Sequence, residues 1–493
     1  MTVLIHPVDR STAAPDHRRR ALSVIAAADF MFVMDGLVVG VALPSIQAEL
    51  GLGGSGLGWI INAYTIALGG FLLLGGRVGD VFGRRRAFDV GLLAFGAASL
   101  GAGLAPSTSV LVAARAAQGV GAATATAAAF SLLTALFEEG SERSRALGVL
   151  SVVGSLGVVA GAILGGVLTS FLGWRSVFLF NVPIVALALV LSRPIADSRD
   201  EAAPRRLDVA GAVCITAALT LLVGVIALLA HDVGVVVMVT LGVASLLLAA
   251  LFVGVERRVA APLVPADFAR SSTAIRADVV ALPLPLGLGT CLFAGTLYLQ
   301  SVLGYDALAA GLTFLPLAIA LTAASPVVTR AMRRWGARAV AAGGFATQSI
   351  GLVVVALSLT PAASIWEAIV PGFVIVGIGA VTAYIPVAER ALEKVGTRAG
   401  LASGLFNTAQ HIGNSLGIAA LASVVALVAG ETTAGSSGIA VTAQGLEAAF
   451  ALGAGMLALA SLLSLALLEG GVPSGGAGST TRTAPPAPSR GDD

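Results

Sequence analysis

The sequence predicts an all-α integral membrane protein, and three observations carry this prediction. First, 57% of its 493 residues are hydrophobic and only 11% are charged, whereas soluble globular chains have about 25% charged residues. Second, apolar runs of about 20 residues, the length that crosses a bilayer as a helix, recur from position 21 to position 468. Third, arginines gather in alternate breaks between these runs, as they do on one side of a membrane protein.

The apolar runs, divided at charged or turn-forming residues, predict fourteen transmembrane helices. They cover residues 21–43, 57–75, 87–105, 109–136, 146–171, 176–192, 208–230, 233–255, 276–302, 307–328, 338–359, 364–387, 400–429 and 445–468. With this count nearly all basic residues fall on one side, while Arg175 faces the other side and Arg115 lies within a helix. Because cytoplasmic loops collect Lys and Arg, both termini are expected in the cytoplasm.

Two charged loops, at 193–207 and 256–276, bracket the seventh and eighth predicted helices and indicate a 6+2+6 arrangement. The predicted segments are a cytoplasmic N-terminal tail (1–20), an N-terminal six-helix half (21–192), a linker with two extra transmembrane helices (193–275), a C-terminal six-helix half (276–469) and a disordered cytoplasmic tail (470–493). The last segment is rich in Gly, Ser, Thr and Pro, which is a composition that cannot bury an apolar core.

The two six-helix halves share a weak internal repeat. The spacing of three residues in the loop after the second helix recurs after the tenth, as Arg77, Asp80 and Gly83 against Arg330, Arg333 and Gly336. Parallel halves of this kind place a transported substrate between them near the membrane midplane. Chance likeness of two basic loops is the alternative.

Signals for enzymatic chemistry are missing from the sequence. Its four histidines and two cysteines are scattered, and it has neither a phosphate-cradling GxxxxGK[ST] loop nor a nucleophile elbow. We therefore expect no metal, no cofactor, no nucleic-acid partner and no ATP-driven pumping. Lys394 is the single lysine among 29 basic residues, which indicates GC-rich coding and an actinobacterial source.

The loop between the second and third predicted helices carries the first family signature. Its sequence, GRVGDVFGRRR at 76–86, resembles the helix 2–3 motif of the major facilitator superfamily. The resemblance implies a major facilitator fold in which Gly76 and Gly83 allow a tight turn and Asp80 and Arg84 are gating residues that close the cytoplasmic side. An ordinary basic loop is the alternative.

The fourth helix carries LVAARAAQGVGAA at 111–123, which is similar to the second signature of the family. A charge such as Arg115 is costly within a bilayer, so it is expected to face the bundle interior and to take part in an ion or substrate pathway. A structural ion pair that ties helices together is the alternative.

The fifth helix carries GVVAGAILGG at 157–166, which resembles the third signature and implies antiport or efflux instead of uptake. Its small residues permit close helix packing. The glycines of this antiporter motif are Gly157, Gly161, Gly165 and Gly166. Close packing without a transport role is the alternative.

Four further stretches resemble the fourteen-helix drug:proton antiporter branch of the family. They are MDGLVVGVALPSI from Met34, WIINAY from Trp59, WRSVFLFNVP from Trp174 and GLASGLFNTAQHIGNSLG from Gly400. The resemblance implies a monomeric, proton-driven exporter of lipophilic drugs or antibiotics in the plasma membrane, working by alternating access. Departures from that branch lie at Leu37, Gly40 and Gln410-His411, where substrate contacts are expected to differ.

Two rival functions are weighed against export. An uptake symporter of the same fold is disfavoured by the fourteen helices and the helix 5 signature. A membrane enzyme is disfavoured because it requires a set of catalytic residues, and the sequence shows no such set.

Depth along the helices pairs one carboxylate with one arginine. At 1.5 Å per residue, Asp35 lies about 21 Å from the inside and Arg115 about 9 Å from the outside. In a hydrocarbon core of about 30 Å these two depths coincide. A buried carboxylate beside an arginine can bind and release protons, so Asp35 is the predicted proton carrier and Arg115 its partner.

Other polar residues of the helices are secondary candidates. Asp29 is shallower than Asp35 and is kept for proton coupling, with a solvated or structural role as the alternative. His411 falls near mid-membrane and suits a second proton site or a substrate contact, with helix packing as the alternative. The residues predicted for the substrate cavity are Asn62, Tyr64, Gln118, Asn407 and Gln410.

Overall fold

The computed structural model describes residues 15–51, 54–137, 141–198, 207–229, 234–259, 262–265, 268, 272–359, 365–393, 399–432 and 442–468. This part of the chain is helical throughout, and no strand occurs in it. The predicted C-terminal tail (470–493) and positions 1–14 of the predicted N-terminal tail lie outside these residues.

Seven helices form the N-terminal half. They are α1 (Pro15–Leu50), α2 (Gly54–Phe82), α3 (Arg84–Gly103), α4 (Thr108–Leu136), α5 (Ser141–Leu172), α6 (Arg175–Leu179) and α7 (Asn181–Ser192). The sixth predicted helix is thus divided into α6 and α7, because Pro183 has no N–H to donate to the preceding turn. The first helix begins at Pro15, before the predicted start at 21, and Arg18 in the added turn pairs with Glu142 at 3.2 Å.

Two linker helices and the C-terminal half follow. They are α8 (Val209–Leu228), α9 (Val235–Glu256), α10 (Ser272–Ala281), α11 (Leu286–Thr290), α12 (Ala307–Thr313), α13 (Leu315–Ser358), α14 (Val370–Ala391), α15 (Ala399–Thr432) and α16 (Ala443–Leu467). The ninth predicted helix is broken at Pro283 and Pro285, which lack N–H donors. It continues after α11 as the π-helical turns Cys291–Gly295 and Tyr298–Val302.

Eleven helical stretches of the described chain are long and apolar enough to cross a membrane. One of them, 307–358, covers both the tenth and the eleventh predicted helices. The chain turns within it at Gly336, whose φ of 77° and ψ of 158° are far from helical values. An L-residue with a side chain rarely adopts such a positive φ, so glycine is required at this turn.

The internal repeat is visible in the packing of equivalent helices. Gly83 and Gly336 both have positive φ, at 111° and 77°. A Cβ built on Gly91 of α3 would lie 2.5 Å from the Ala125 nitrogen of α4, and one built on Gly344 of α13 would lie 2.3 Å from the Ala383 nitrogen of α14. The same helix crossing therefore occurs in both halves. This argues against the alternative that the two loops resemble each other only by chance.

The outer surface of the helices is apolar. On α9 the side chains of Val235, Val236, Leu246 and Leu247 are each more than half exposed. Water would not stabilise so large an apolar face, whereas the hydrocarbon of a bilayer does. The apolar side chains of α9 therefore identify a lipid-facing surface.

The helices α1, α3 and α5 end on the same side of the bundle, and we call this side the arginine-poor end. Hydrogen bonds and an ion pair join these three helix ends. Trp174 donates its indole N–H to Glu49 at 2.7 Å. Arg175 pairs with the same carboxylate and donates to the carbonyl of Ala105 at 3.2 Å. The opposite end, which carries Arg77, Arg84 and Arg330, is called the arginine-rich end.

Two adjacent glycines of α13 provide a matched test of this packing. We expect Gly344→Ala to lower stability by about 1–3 kcal/mol, because its methyl group would collide with the α14 backbone. Gly343→Ala is the control, since no atom lies within 4 Å of a Cβ built there. Thermal unfolding in detergent should show a lower Tm for the first variant alone, and equal Tm values would contradict the helix crossing described.

Candidate functional site

A fully buried ion pair lies at the centre of the N-terminal half. The Nη1 atom of Arg115, on α4, is 2.7 Å from Oδ2 of Asp35, on α1. Each residue is 1% exposed. The depth estimate made from the sequence and this contact agree, so the structure brings the two residues together.

Hydrogen bonds from four helices surround the pair. Asn181 of α7 donates to Oδ1 of Asp35 at 2.6 Å. Arg115 donates through Nη1 to Gln118 at 2.9 Å and through Nε to the carbonyl of Ile60 at 3.1 Å. Gln118 in turn donates to the hydroxyl of Ser99 at 2.7 Å. The protein itself thus replaces the water that both charges lose on burial.

Aromatic rings cover the guanidinium of Arg115. Its Cζ atom lies 4.3 Å from the ring centroid of Tyr64 and 5.8 Å from that of Phe178. An aromatic face attracts a cation electrostatically, and more strongly where water is excluded. These rings contribute to the burial of the guanidinium.

Three residues predicted for the substrate cavity are instead buried in this conformation. Asn62, Tyr64 and Gln118 are at most 4% exposed. Gln118 and Tyr64 contact Arg115 because a buried charge needs polar and aromatic partners more than a cavity wall does. Asn181 and Ser99, which complete the cluster, were missed, although Asn181 lies in the quoted WRSVFLFNVP stretch.

The equivalent positions of the C-terminal half are apolar. Gly121 of α4 and Gly379 of α14 occupy the same crossing, since a Cβ on either would lie 2.5 Å from a backbone nitrogen of the partner helix. Counting back along both helices places Phe373 where α4 has Arg115, and Val376 where it has Gln118. The charged cluster therefore has no equivalent at these positions in the second half.

The antiporter-motif glycines of α5 form a seam against α1. Cβ atoms built on Gly157, Gly161 and Gly165 would lie 3.2, 2.9 and 3.2 Å from atoms of Phe30, Leu37 and Val38. Gly166 instead contacts the other half, because its Cβ would lie 2.6 Å from Cα of Leu308 at the start of α12. This stripe of small residues lets α1, α5 and α12 approach within backbone contact.

The loop between α2 and α3 docks on the chain that follows α7. Arg84, at the start of α3, pairs at 3.3 Å with Asp80, which lies in the last turn of α2 and not in the predicted loop. Asp197 accepts the backbone N–H of Arg85 at 3.0 Å and pairs with Arg86 at 3.1 Å. A Cβ on Gly83 would lie 2.5 Å from Oδ2 of Asp197, so glycine lets this carboxylate approach. Asp197 was missed because a single acid in a basic loop gives no distinctive signal.

The two halves touch at the arginine-poor end and at mid-depth. Near the arginine-poor end, Gln300 donates to the carbonyl of Val41 at 2.8 Å, and the backbone N–H of Leu308 donates to Ser170 at 3.2 Å. At mid-depth the hydroxyls of Thr65 on α2 and Ser415 on α15 lie 2.5 Å apart.

The remaining polar site candidates, on α1 and α15, are less buried than the cluster around Arg115. Asp29, Asn407, Gln410 and His411 are all partly exposed, in contrast to the buried cluster. Tyr384 of α14 is 43% exposed, and its ring packs edge-on against Phe406 of α15 with the ring centroids 5.7 Å apart. Gly76, the remaining residue of the predicted gate, lies against α4, since its Cβ would be 3.8 Å from Ala127.

Comparison with known proteins agrees with this architecture. A family model described as Major Facilitator Superfamily matches residues 25–418. Puromycin resistance protein pur8 of Streptomyces alboniger is 36% identical over 478 residues, covering 94% of this chain and 94% of that protein. Cephamycin export protein CmcT of Amycolatopsis lactamdurans is 40% identical over 422 residues, covering 84% of this chain and 86% of that protein.

A solved structure shows the same fold at low sequence identity. The crystal structure of peptide transporter POT in complex with sulfate matches with a TM-score of 0.64 at 16% identity, covering 91% of this chain and 94% of that chain. The likeness at this identity concerns the fold alone.

The hydrogen bond from Asn181 to Asp35 can be tested by stability. We expect Asn181→Leu to cost about 1–3 kcal/mol, because it leaves one oxygen of a buried carboxylate without its donor. Asn407→Leu is the control, since Asn407 is partly exposed and bonds to the carbonyl of Ser403 in its own helix. Thermal unfolding in detergent measures both, and a control as unstable as Asn181→Leu would argue against the assignment.

Proposed function

The chain belongs to the Major Facilitator Superfamily, and on that basis we propose that it is a proton-coupled antiporter that exports lipophilic small molecules, antibiotics among them, across the plasma membrane. It is a multi-pass membrane transporter and not an enzyme. Relatives named for puromycin resistance and cephamycin export support the direction and the class of substrate. Transport by a monomer, without cofactor or metal, is part of the proposal.

Fourteen crossings with both termini in the cytoplasm are the topology we propose. The eleven apolar stretches include 307–358, which turns at Gly336 and so crosses twice. The helices α3, with 20 residues, and α5, with 32, supply two more crossings, since 20 residues span about 30 Å. The positive-inside rule then places the arginine-rich end in the cytoplasm.

The conformation described here is the inward-facing one in this scheme. The halves touch at the arginine-poor, outer end through Val41, Ser170 and Leu308. Partial exposure of Asp29 and Gln410 supports a space that opens to the cytoplasm in this conformation. A drug would enter from that side and leave after the halves rock about the contact of α2 with α15.

The buried pair of Asp35 and Arg115 is the observation that carries the proposal of proton coupling. A proton on Asp35 would remove the charge that Arg115 balances, so it would weaken a contact that joins α1 to α4. The same carboxylate is held by α7 through Asn181. Protonation would therefore loosen the packing of the N-terminal half, which links proton movement to rocking. Since both side chains are 1% exposed, proton exchange needs a conformational change.

Asp35→Asn tests the proton carrier directly. We expect this variant to fold with lower stability, because Arg115 loses its counter-charge. It should still bind drug but lose gradient-driven export, because the amide keeps the shape of the side chain and cannot titrate. Transport of puromycin should be measured in proteoliposomes with and without a pH gradient, with Glu447→Gln, an exposed carboxylate, as the control. Gradient-driven export at the wild-type rate by Asp35→Asn would sink the assignment. Transport in the opposite direction by the wild type would favour the uptake symporter.

Asp80→Asn tests the gate. We expect transport to slow several-fold while drug affinity stays unchanged, because Asp80 lies in the last turn of α2, where it pairs with Arg84 beside the turn that docks on the chain after α7. Glu142→Gln is the control, as it removes another exposed pair at the same end, where such pairs contribute about 0–1 kcal/mol. A loss of affinity with normal turnover would show that Asp80 does not act as a gate.

A further inference from the structure

We propose that the bend of α13, at the arginine-rich end, binds the head group of an anionic phospholipid. The binding surface consists of four arginines and one tryptophan, and we call it the arginine bend: Arg330, Arg333, Arg334, Trp335 and Arg338. Its ligand is the phosphate of a lipid in the adjoining leaflet. This surface lies outside the residues assigned to proton coupling, and its ligand is neither a drug nor a proton.

The first observation is that the positive charges of the arginine bend are exposed and unpaired. All four arginines are exposed. Arg333 and Arg334 follow Arg330 by three and four residues, so the three share one face of the helix before the turn. Among the residues that the structure describes, no carboxylate forms an ion pair with any of the four. Such a cluster of cations attracts an anion from outside the chain.

The equivalent bend of the N-terminal half neutralises its arginines within the protein. There Arg84 pairs with Asp80, and Arg86 pairs with Asp197. Under the internal repeat, Asp80 corresponds to Arg333. The second bend thus has a further positive charge where the first has a neutralising acid. It keeps the turn without the acid, so its charge is available to an external partner.

The second observation is that the arginines continue an apolar, exposed face of α13. Ile319 and Val327 are each more than half exposed. Arg330 follows Ile319 by eleven residues and Arg334 follows Val327 by seven, which is about three and about two helical turns. Exposed apolar side chains of a spanning helix face hydrocarbon, as on α9. The arginines on the same face therefore lie where hydrocarbon gives way to lipid head groups.

Trp335 supplies the third observation. Its side chain is 64% exposed, although most of the indole ring is apolar. Tryptophan is enriched at the membrane interface, because its ring is apolar and its N–H can donate to a polar group. Cζ of Arg334 lies 5.8 Å from the ring centroid, a distance at which cation–π attraction acts. The ring therefore fits the depth of the head groups and helps to orient one of the cations.

The chemistry of the arginine bend selects an anionic phospholipid. A guanidinium binds phosphate through two parallel N–H donors. A zwitterionic lipid also carries a cationic group, which the four arginines would repel. The acyl chains of a lipid would pack on Ile319 and Val327, whereas a soluble anion has no apolar part to place there. Phosphate and acyl chains are thus recognised by adjoining parts of one helix face.

Quenching of tryptophan fluorescence by brominated lipids tests the site. The full-length protein, purified in detergent, should be titrated with brominated phosphatidylglycerol, which is anionic, and brominated phosphatidylcholine, which is zwitterionic. We expect Trp335 to be quenched at a concentration of phosphatidylglycerol that is at least about tenfold lower. Trp366 is the internal control, because it is also exposed but lies in a turn without arginine. Comparison with Trp335→Phe and Trp366→Phe assigns the signal to each ring.

Two matched pairs of arginines separate a defined site from general attraction to an anionic surface. Arg333→Gln/Arg334→Gln removes two adjacent exposed charges from the arginine bend. Arg257→Gln/Arg258→Gln removes two adjacent exposed charges that follow α9. We expect the first double variant to need at least about fivefold more phosphatidylglycerol to quench Trp335, and the second less than about twofold more. Thermal unfolding of both variants checks that they are folded.

Three results would overturn the proposal. The first is equal quenching of Trp335 by the two lipids, a comparison that the wild type alone provides. The second is an equal effect of the two double variants, which would show general surface attraction. The third is reversal of the quenching by glycerol 1-phosphate at the concentration of the lipid, which would show a site for soluble phosphate. None of these measurements uses a drug or a gradient, so their outcome is independent of the proposed export.

Discussion

The cost of holding a charge without water constrains the whole N-terminal half. Asp35 and Arg115 are almost completely buried, and each would be strongly destabilising alone. Their ion pair, the amide of Asn181 and the carbonyl of Ile60 supply what water would have supplied. Because these partners come from different helices, the charges can be satisfied only when the helices of this half hold one arrangement. Loss of the charge on Asp35 would therefore weaken the packing of several helices in the N-terminal half.

Close backbone contact is the second requirement of this arrangement. Glycines bring α3 to α4 at Gly91 and Gly121, and α13 to α14 at Gly344 and Gly379. The repeat explains why the crossings match, while the chemistry at the crossings differs. The first half has Arg115 where the second has Phe373, which stacks on Phe314 with the ring centroids 5.2 Å apart. One half thus carries a buried ion pair, and the other has an apolar aromatic core at the equivalent positions.

The linker helix α8 adds a contact that touches both halves. Thr216 of α8 packs on Gly70 of α2, and Ile226 accepts a hydrogen bond from Ser423 of α15 at 2.7 Å. The line along which α2 meets α15 is therefore covered from the membrane side. Its companion α9 presents Val235 and Leu246 to lipid. This placement gives the two extra helices a defined position, beside the contact about which the halves would rock.

The sequence by itself determined the membrane class, the positions of most helices, the family and the coincidence in depth of Asp35 with Arg115. These follow from composition and from distance along a helix axis, which are one-dimensional properties. It could not determine which way a side chain faces around that axis. Gln118 and Tyr64 were therefore placed in the cavity, although they contact Arg115, and Asn181 and Ser99 were overlooked. Tertiary packing also decided that Asp29 lacks the partners that Asp35 has. The two residues are about one and two-thirds helical turns apart, so their carboxylates point towards different neighbours.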